Sequence, residues 1–580
     1  MLKKILYIIL LLALIKSIFY QPHSINYIYW DKIYFYGILA MALIVTSLLC
    51  INYRKKGLTL SRIDVILVFI LLYIILNAII SGRFQHEEEA LSGLLLILIV
   101  WILLKQLIYY GIINPLEIQV LIILACCLLG IHGLLNYMQS GTTAFIGNLG
   151  NPNLFSLVVL TGLPASLGWI LYLNSTTTLK KITALASVFN IVLTTYSAVF
   201  NLTRTAILCI LALVSIMLFF RFRNWVIKWS RFGLSLTVLT GLGILLAFSV
   251  KLFEIKRPSA EGRILISRIT AGAIWEKPIT GFGFNSFKHV YPGYQEGWFR
   301  RHPSTKESKL SSDVNHSFNE YTQIFFELGL AGVVLAIILF HQLVKSSLKQ
   351  KDTFQQCFQW GTLVLVLCGS LFYNFLRDYD LATFTLIPIL LFPSPALPGI
   401  PVSRFWIPII MGIIAIGFII IIYLFQYKNA QEKWREINLS ENKQEDLADH
   451  LKKMDRYLMR DGQYLFNIGG LLYLEKNYSL SKDYLDRARK KYTHSLLLIY
   501  SGNVYYALGK KDSAFYFYEA AKWMVPGRLL PRNKIINYYL NAGDTLKAKL
   551  EASELIKMKI KGVSPIIKQI LENSKATLSY

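Results

Sequence analysis

The sequence predicts an all-α protein in two parts: a polytopic helical membrane domain over residues 1–427, with one long extramembrane loop at 251–319, and a soluble helical-repeat domain over 428–580. Three observations predict it. Hydrophobic residues make up 54% of the 580-residue chain, above the roughly 45–50% of soluble domains. They gather into runs that approach the roughly 20 residues needed to cross a bilayer. After Tyr427-Lys428-Asn429 those runs stop, and a pattern with a period of 33 to 34 residues replaces them.

Lys3-Lys4 followed by apolar residues 5–19 resembles a signal peptide, but no small-x-small cleavage site follows in Phe19-Tyr20-Gln21-Pro22-His23, so the run reads as an uncleaved first span. Further stretches at 33–51, 63–80, 91–110, 117–138, 153–173, 183–200, 205–220, 232–250, 320–344, 358–376, 380–398 and 405–427 bring the candidate spans to thirteen. Alternate loops must then carry the basic residues. One set holds Lys3-Lys4, Arg54-Lys55-Lys56, Arg62, Lys105, Lys180-Lys181, Arg221, Arg223, Lys228, Arg231, Lys345, Lys349, Lys351 and Arg404. The other holds only Lys32, Arg83 beside Glu87-Glu88-Glu89, Arg204, and Arg377 beside Asp378. The bias places the amino terminus in the cytoplasm. The 139–152 loop, Arg204, the 251–319 loop, Arg377 and the tail then share the far side.

The formal charge of +26 is assigned to this topology, not to nucleic acid, because polytopic proteins gather Lys and Arg in their cytoplasmic loops. The six cysteines, Cys50, Cys126, Cys127, Cys209, Cys357 and Cys368, lie in or beside apolar runs without metal-type spacing and read as packed thiols. No metal or cofactor is expected.

In the tail, Ile468-Gly469 with Tyr478, Ser481 and Ala488 is followed by Ser501-Gly502 with Tyr505, Ala514, Ala521 and Pro526, then by Tyr539, Gly543, Ala548 and Leu555. Small residues where helices cross, aromatics between them and a closing proline resemble the tetratricopeptide repeat. About three such repeats stack into a superhelix with a face for an extended protein partner. The basic tail is also suited to anionic lipid headgroups.

Four stretches carry candidate chemistry. Gly147-Asn148-Leu149-Gly150-Asn151-Pro152-Asn153 offers Asn151 and Asn153 as amide donors to sugar hydroxyls or phosphate, or as helix caps. In Asn201-Leu202-Thr203-Arg204-Thr205-Ala206, Arg204 stands between two apolar runs with almost no loop, where a cation must snorkel, pair or bind an anion. A planar guanidinium suits pyrophosphate. The run from Gly262-Arg263 to Phe287 has helical spacing over 263–275, a break at Pro278 and a glycine-rich turn. Its Ile264, Ile266, Ile269 and Ile274 suit an amphipathic helix in the membrane interface, with Arg263 or Arg268 facing a cavity. Finally, His316 precedes Asn319, Glu320, Gln323 and Glu327, where an imidazole is placed to accept an acceptor hydroxyl's proton or merely to cap the helix. Glu320, Gln323 and Glu327 share a helix face, lining a polar cavity or pairing with arginines.

Taken together, Gly150-Asn151-Pro152-Asn153, Thr203-Arg204-Thr205-Ala206, Gly262-Arg263 through Pro278-x-x-Gly281-x-Gly283-x-x-x-Phe287, and Asn319-Glu320-Tyr321 through Glu327-x-Gly329 resemble the O-antigen ligase superfamily. That superfamily comprises lipopolysaccharide ligases, O-antigen polymerases and protein O-oligosaccharyltransferases. The resemblance implies a multi-pass protein of the bacterial inner membrane with its loop and tail in the periplasm. It implies a metal-independent, inverting transfer of glycan from an undecaprenyl-pyrophosphate carrier to a glycolipid (lipid A core) or protein acceptor. Arg204 and Arg263 then grip the pyrophosphate, Asn151, Asn153, Arg268, Asn319 and Glu320 contact substrate, and a histidine activates the acceptor. Many members carry that histidine directly before the asparagine matching Asn319. Here Phe318 stands there and the nearest histidine is His316, a displacement of roughly 200° if the segment is helical. Either the segment is extended and His316 reaches the site, or arginines and leaving-group departure suffice. The other readings are a polymerase joining lipid-linked repeat units, and a non-enzymatic transporter or scaffold. A transporter is disfavoured because the polar residues cluster on one side instead of at midplane.

Overall fold

Apolar runs in a bilayer must satisfy every backbone N–H and C=O internally, and helices do so within one segment. The structure, a computed structural model, describes residues 2–19, 27–52, 60–84, 88–140, 144, 146–172, 178–226, 254, 257–303, 305–374, 379–393, parts of 412–434, 454–459, 461–558 and 564–579. All the regular elements among them are helices. The membrane domain comprises α1 (Leu2–Leu14), α2 (Tyr27–Asn52), α3 (Arg62–Ile80), α4 (Glu88–Tyr109), α5 (Pro115–Ser140), α6 (Pro152–Leu160), α7 (Leu163–Tyr172), α8 (Thr178–Phe200) and α9 (Arg204–Val226).

The loop that follows contributes α10 (Arg257–Ile274) and α11 (Phe287–Arg301). The chain then re-enters the membrane in α12 (Glu320–Leu348), α13 (Thr353–Ser370) and α14 (Tyr379–Leu390). Among the described residues six helical stretches are long and apolar enough to cross a bilayer: Arg62–Ile80, Pro115–Gln139, Pro152–Tyr172, Lys180–Phe200, Arg204–Arg221 and Glu320–Leu348. Of the thirteen runs expected, the first forms only the 13-residue α1, and the 380–398 run forms the 12-residue α14. The 232–250 run lies outside the described residues, and 405–427 mostly does. The segment carrying α6 and α7 is the bundle's centre, with Leu157, Val158, Val159 and Leu160 wholly buried.

The amphipathic character of α10 is used differently from the expectation. Ile266, Ile269 and Ile274 bury against Phe287, Tyr291, Phe299 and Phe326, so the helix spends its apolar face on a protein core and leaves only Ile264 outward. Aromatic residues from α11 and α12 supply a denser partner than lipid, with Phe287 stacked on Tyr291 at 4.6 Å and edge-on to Phe326 at 5.1 Å.

The tail folds as α15 (Gly462–Leu474), α16 (Tyr478–Lys491), α17 (Ser495–Ala507), α18 (Lys511–Met524), α19 (Leu529–Asn541), α20 (Thr545–Ile556) and α21 (Pro565–Ser579). The first six form three hairpins and α21 packs on the last. The period is visible in the turns: Lys476, Gly509 and Gly543 each adopt positive φ, at 64°, 75° and 77°. It is visible again where helices cross, with Ala488, Ala521 and Leu555 wholly buried.

Candidate functional site

Arg204 is the first residue of α9, and a buried polar girdle fixes its position. The α8–α9 turn is tight because Leu202 takes a positive φ of 47°, which lets Thr203 N–H reach the Ala198 carbonyl at 2.9 Å. Asn201 Nδ2 donates to Ser156 Oγ at 3.1 Å and to the Pro152 carbonyl at 3.4 Å. Thr203 Oγ1 donates to the same Ser156 hydroxyl at 3.2 Å. The start of α6 and the start of α9 therefore lie side by side. Asn151 caps α6, its Oδ1 accepting from Asn153 N–H at 2.9 Å and Leu154 N–H at 3.4 Å, with Pro152 at the first helical position. Asn148 is likewise engaged: Nδ2 donates to the Ile18 carbonyl at 3.1 Å and Oδ1 accepts from Asn136 at 2.7 Å. The asparagine motif builds the helix start, and Asn153 is half-buried in the first turn of α6.

Arg263 lies in the first half of α10. Its Nη1 donates to the Phe372 carbonyl, just past the end of α13, at 2.9 Å. Its guanidinium stands 5.2 Å from the centre of the Phe318 ring. Burial, and after it the nearby Arg204 cation, pull Arg263 below an arginine's ordinary value, against an opposing pull from Tyr373. The two guanidinium groups are thus close enough to repel, and among the described residues no carboxylate forms an ion pair with either. Two cations near enough to influence one another, with no paired carboxylate among the described residues, suit a multiply charged anion. Arg268 is not part of it. Five residues further along α10, it pairs with Glu307 at 2.9 Å and lies 6.0 Å over Trp298.

The re-entry segment is irregular from 309 to 319, and α12 starts only at Glu320, so the helical displacement anticipated for His316 does not arise. His316 is half-buried two residues before Phe318, whose φ of 56° is in the left-handed region. Asn319 is committed to structure: Oδ1 caps Thr322 N–H at 3.1 Å and Nδ2 donates to the Leu371 carbonyl at 3.1 Å. The buried Gln323 accepts from Ser317 N–H at 2.8 Å. Glu320 is buried at the start of α12.

Glu327, expected as a cavity wall or an arginine partner, is wholly buried in the structure and accepts the backbone N–H groups of Asn285 at 2.8 Å and Phe287 at 3.4 Å, and the Gln323 amide at 2.6 Å. It holds the glycine-rich turn, which runs beside α12 where Gly329 breaks the helix at φ 65°, ψ −166°. Phe282 and Gly283 N–H donate to the Phe326 and Glu327 carbonyls, each at 2.9 Å, and Leu330 N–H donates to the Pro278 carbonyl at 2.8 Å. Asn77 of α3 clamps the turn from outside, donating to the Thr280 carbonyl at 2.6 Å and accepting from Phe284 N–H at 3.0 Å.

Sequence reasoning missed Phe318 as the ring beside Arg263, and the Phe372 and Leu371 carbonyls just past α13 that fix Arg263 and Asn319. The substitution at 318 was the available signal for the first. Main-chain acceptors leave none. Residues 189–337, which run from within α8 to within α12 and contain both arginines, match the family model described as O-Antigen ligase. No curated protein matches the chain.

Proposed function

With residues 189–337 forming an O-antigen ligase domain in a multi-pass helical membrane protein, we propose that the protein is a periplasmic-face glycosyltransferase of the inner membrane. It moves a glycan from an undecaprenyl-pyrophosphate carrier to a hydroxyl of lipid A core or of a protein. The observation that carries this reading is the pair Arg204 and Arg263, delivered by separate helices and unpaired by any described carboxylate.

In the proposed step the acceptor oxygen attacks the anomeric carbon from the face opposite the carrier, the bond from that carbon to the phosphate oxygen breaks, and configuration inverts. The electron pair stays on the pyrophosphate, where the two guanidinium groups meet it. The acceptor's proton passes to a neutral His316. Arg263 is preset by the Phe372 carbonyl and the Phe318 ring, so little reorganisation accompanies charge development.

The test uses full-length protein in membranes with a lipid-linked glycan donor, reading glycan lost from the carrier and gained by the acceptor. Arg204→Ala and Arg263→Ala are each expected to cut turnover by about 10²- to 10³-fold at normal membrane levels. Near-wild-type turnover in both variants refutes the pyrophosphate grip. His316→Ala is expected to lose activity while His289→Ala and His302→Ala keep it. His302 stacks on Trp298 at 4.3 Å, so its ring already serves the loop's packing.

A further inference from the structure

Asp313 lies in the loop, three residues before His316, with its side chain only 8% exposed. Among the described residues, every partner of its carboxylate comes from the repeat domain. Oδ1 accepts the Ser495 N–H at 2.7 Å, the first N–H of α17. Oδ2 accepts the Ser495 hydroxyl at 2.8 Å and pairs with Arg528 Nη2 at 2.8 Å and His494 Nε2 at 3.3 Å. The set is closed on itself. Arg528 Nη1 also donates to Ser495 Oγ at 2.8 Å, and His494 Nδ1 accepts from Leu496 N–H at 3.2 Å, which leaves its Nε2 to carry the proton toward Asp313. A carboxylate at a helix N-terminus, with a guanidinium beside it and little water, is a strong and directional contact.

A second link stands next to the first. The buried Gln295 of α11 donates through Nε2 both to the Ser312 carbonyl, at 3.0 Å, and to the Met524 carbonyl at the end of α18, at 2.6 Å. Thr493 N–H reaches the Lys288 carbonyl at 3.2 Å. Trp523 packs on the loop's aromatic core. At Gly527 a side-chain carbon would meet the Ser308 carbonyl oxygen at 2.8 Å, so the two parts touch backbone to backbone.

We infer that the repeat domain braces the reaction site, with Asp313 as the positioning residue through which it fixes the segment carrying His316 and Phe318. The inference rests on the transferase reading for what the segment does, but not for how it is held. A segment irregular from 309 to 319 has no ladder of its own to fix it. Its far end is tied to α12 by Ser317 and Asn319. Its near end is tied through Ser312 and Asp313, to α11 and the repeats, with Val314 buried in the loop's aromatic core between the two ends. Releasing Asp313 leaves the near end held by Ser312 and the packing of Val314, and a displacement of about 1 Å at a reacting group costs on the order of a hundredfold in rate.

The experiment compares full-length wild type, Asp313→Ala and Arg528→Ala in detergent micelles by hydrogen exchange, and in membranes by transfer kinetics. Expected in both variants is exchange at least tenfold faster in residues 314–322, with amides of α16 and α18 as protected as in wild type. Turnover at saturating donor should fall at least tenfold while the donor KM changes less than threefold. Unchanged exchange over 314–322 overturns the brace, as does faster exchange with unchanged turnover. Lost protection in α16 and α18 of both variants assigns Asp313 to repeat-domain folding and also overturns it. If wild type transfers no glycan, the transferase reading fails, and the exchange comparison alone decides the brace.

Discussion

Arg263 shows how one residue acquires a role from its surroundings. A half-buried guanidinium beside a second one is costly, and here the Phe372 carbonyl and the Phe318 ring offset part of that cost. The ring reaches its place because Phe318 adopts φ 56°, a conformation that costs a bulky residue about 1–2 kcal/mol. Cation–π contacts are worth about 0.5–2 kcal/mol, or roughly a factor of two to thirty in rate if all of it goes to placing Arg263. Phe318→Ala should therefore lower kcat/KM about fivefold and Phe318→Tyr less than twofold. The double variant Phe318→Ala/Arg263→Ala should be no slower than Arg263→Ala alone, because the ring acts through the arginine. A further fivefold loss in the double variant refutes this coupling. Both arginines were legible from sequence, since a cation at a membrane boundary demands a reason. Asn151 was legible as a substrate contact or a helix cap and Asn319 only as a substrate contact, and in the structure both side chains cap helix starts.

At the scale of elements, glycine spacing was legible but its purpose was not. Pro278-x-x-Gly281-x-Gly283 read as a glycine-rich turn and Glu327-x-Gly329 as part of the re-entering helix, whereas they are two halves of one backbone crossing. A side-chain carbon on Gly329 would lie 2.2 Å from the Ile279 carbonyl oxygen, and the φ and ψ of Gly329 belong to a region essentially reserved for glycine. Gly329→Ala should lower the melting temperature in detergent by several degrees or prevent recovery of folded protein. Gly293→Ala, inside α11 with open space around the new carbon, should be neutral or stabilising by up to about 1 kcal/mol. Equal behaviour of the two variants in a thermal-shift series refutes the crossing as the reason for the motif. The interfacial role expected of α10 failed for a related reason. An amphipathic face announces burial, and the sequence does not say whether lipid or aromatic side chains will cover it.

Across the whole molecule, helix parity joins the site, the loop and the repeats. The ends of α3, α5, α8 and α13 and the starts of α6, α9 and α12 meet at one end of the bundle, tied by Asn77, Asn201, Arg263 and Asn319. The other ends carry Arg62, Lys180, Lys181, Arg221, Lys345, Lys349 and Lys351. Contacts between the repeats and the loop place the repeat domain at the arginine end, so one orientation decides the location of all three. The positive-inside bias then predicts that the basic end faces the cytoplasm. Cysteines introduced at Tyr516, 63% exposed on α18, and at Lys351, exposed just beyond α12, report the two ends separately. A membrane-impermeant maleimide should label Tyr516→Cys in intact cells with a permeabilised outer membrane, and Lys351→Cys only after the inner membrane is broken. The unsubstituted chain serves as the blank for Cys50 and the half-buried Cys368, since Cys126, Cys127, Cys209 and Cys357 are buried. Labelling in the reverse order would put the arginine pair in the cytoplasm, out of reach of a glycan displayed on the outer leaflet, and would remove the transferase reading together with its topology.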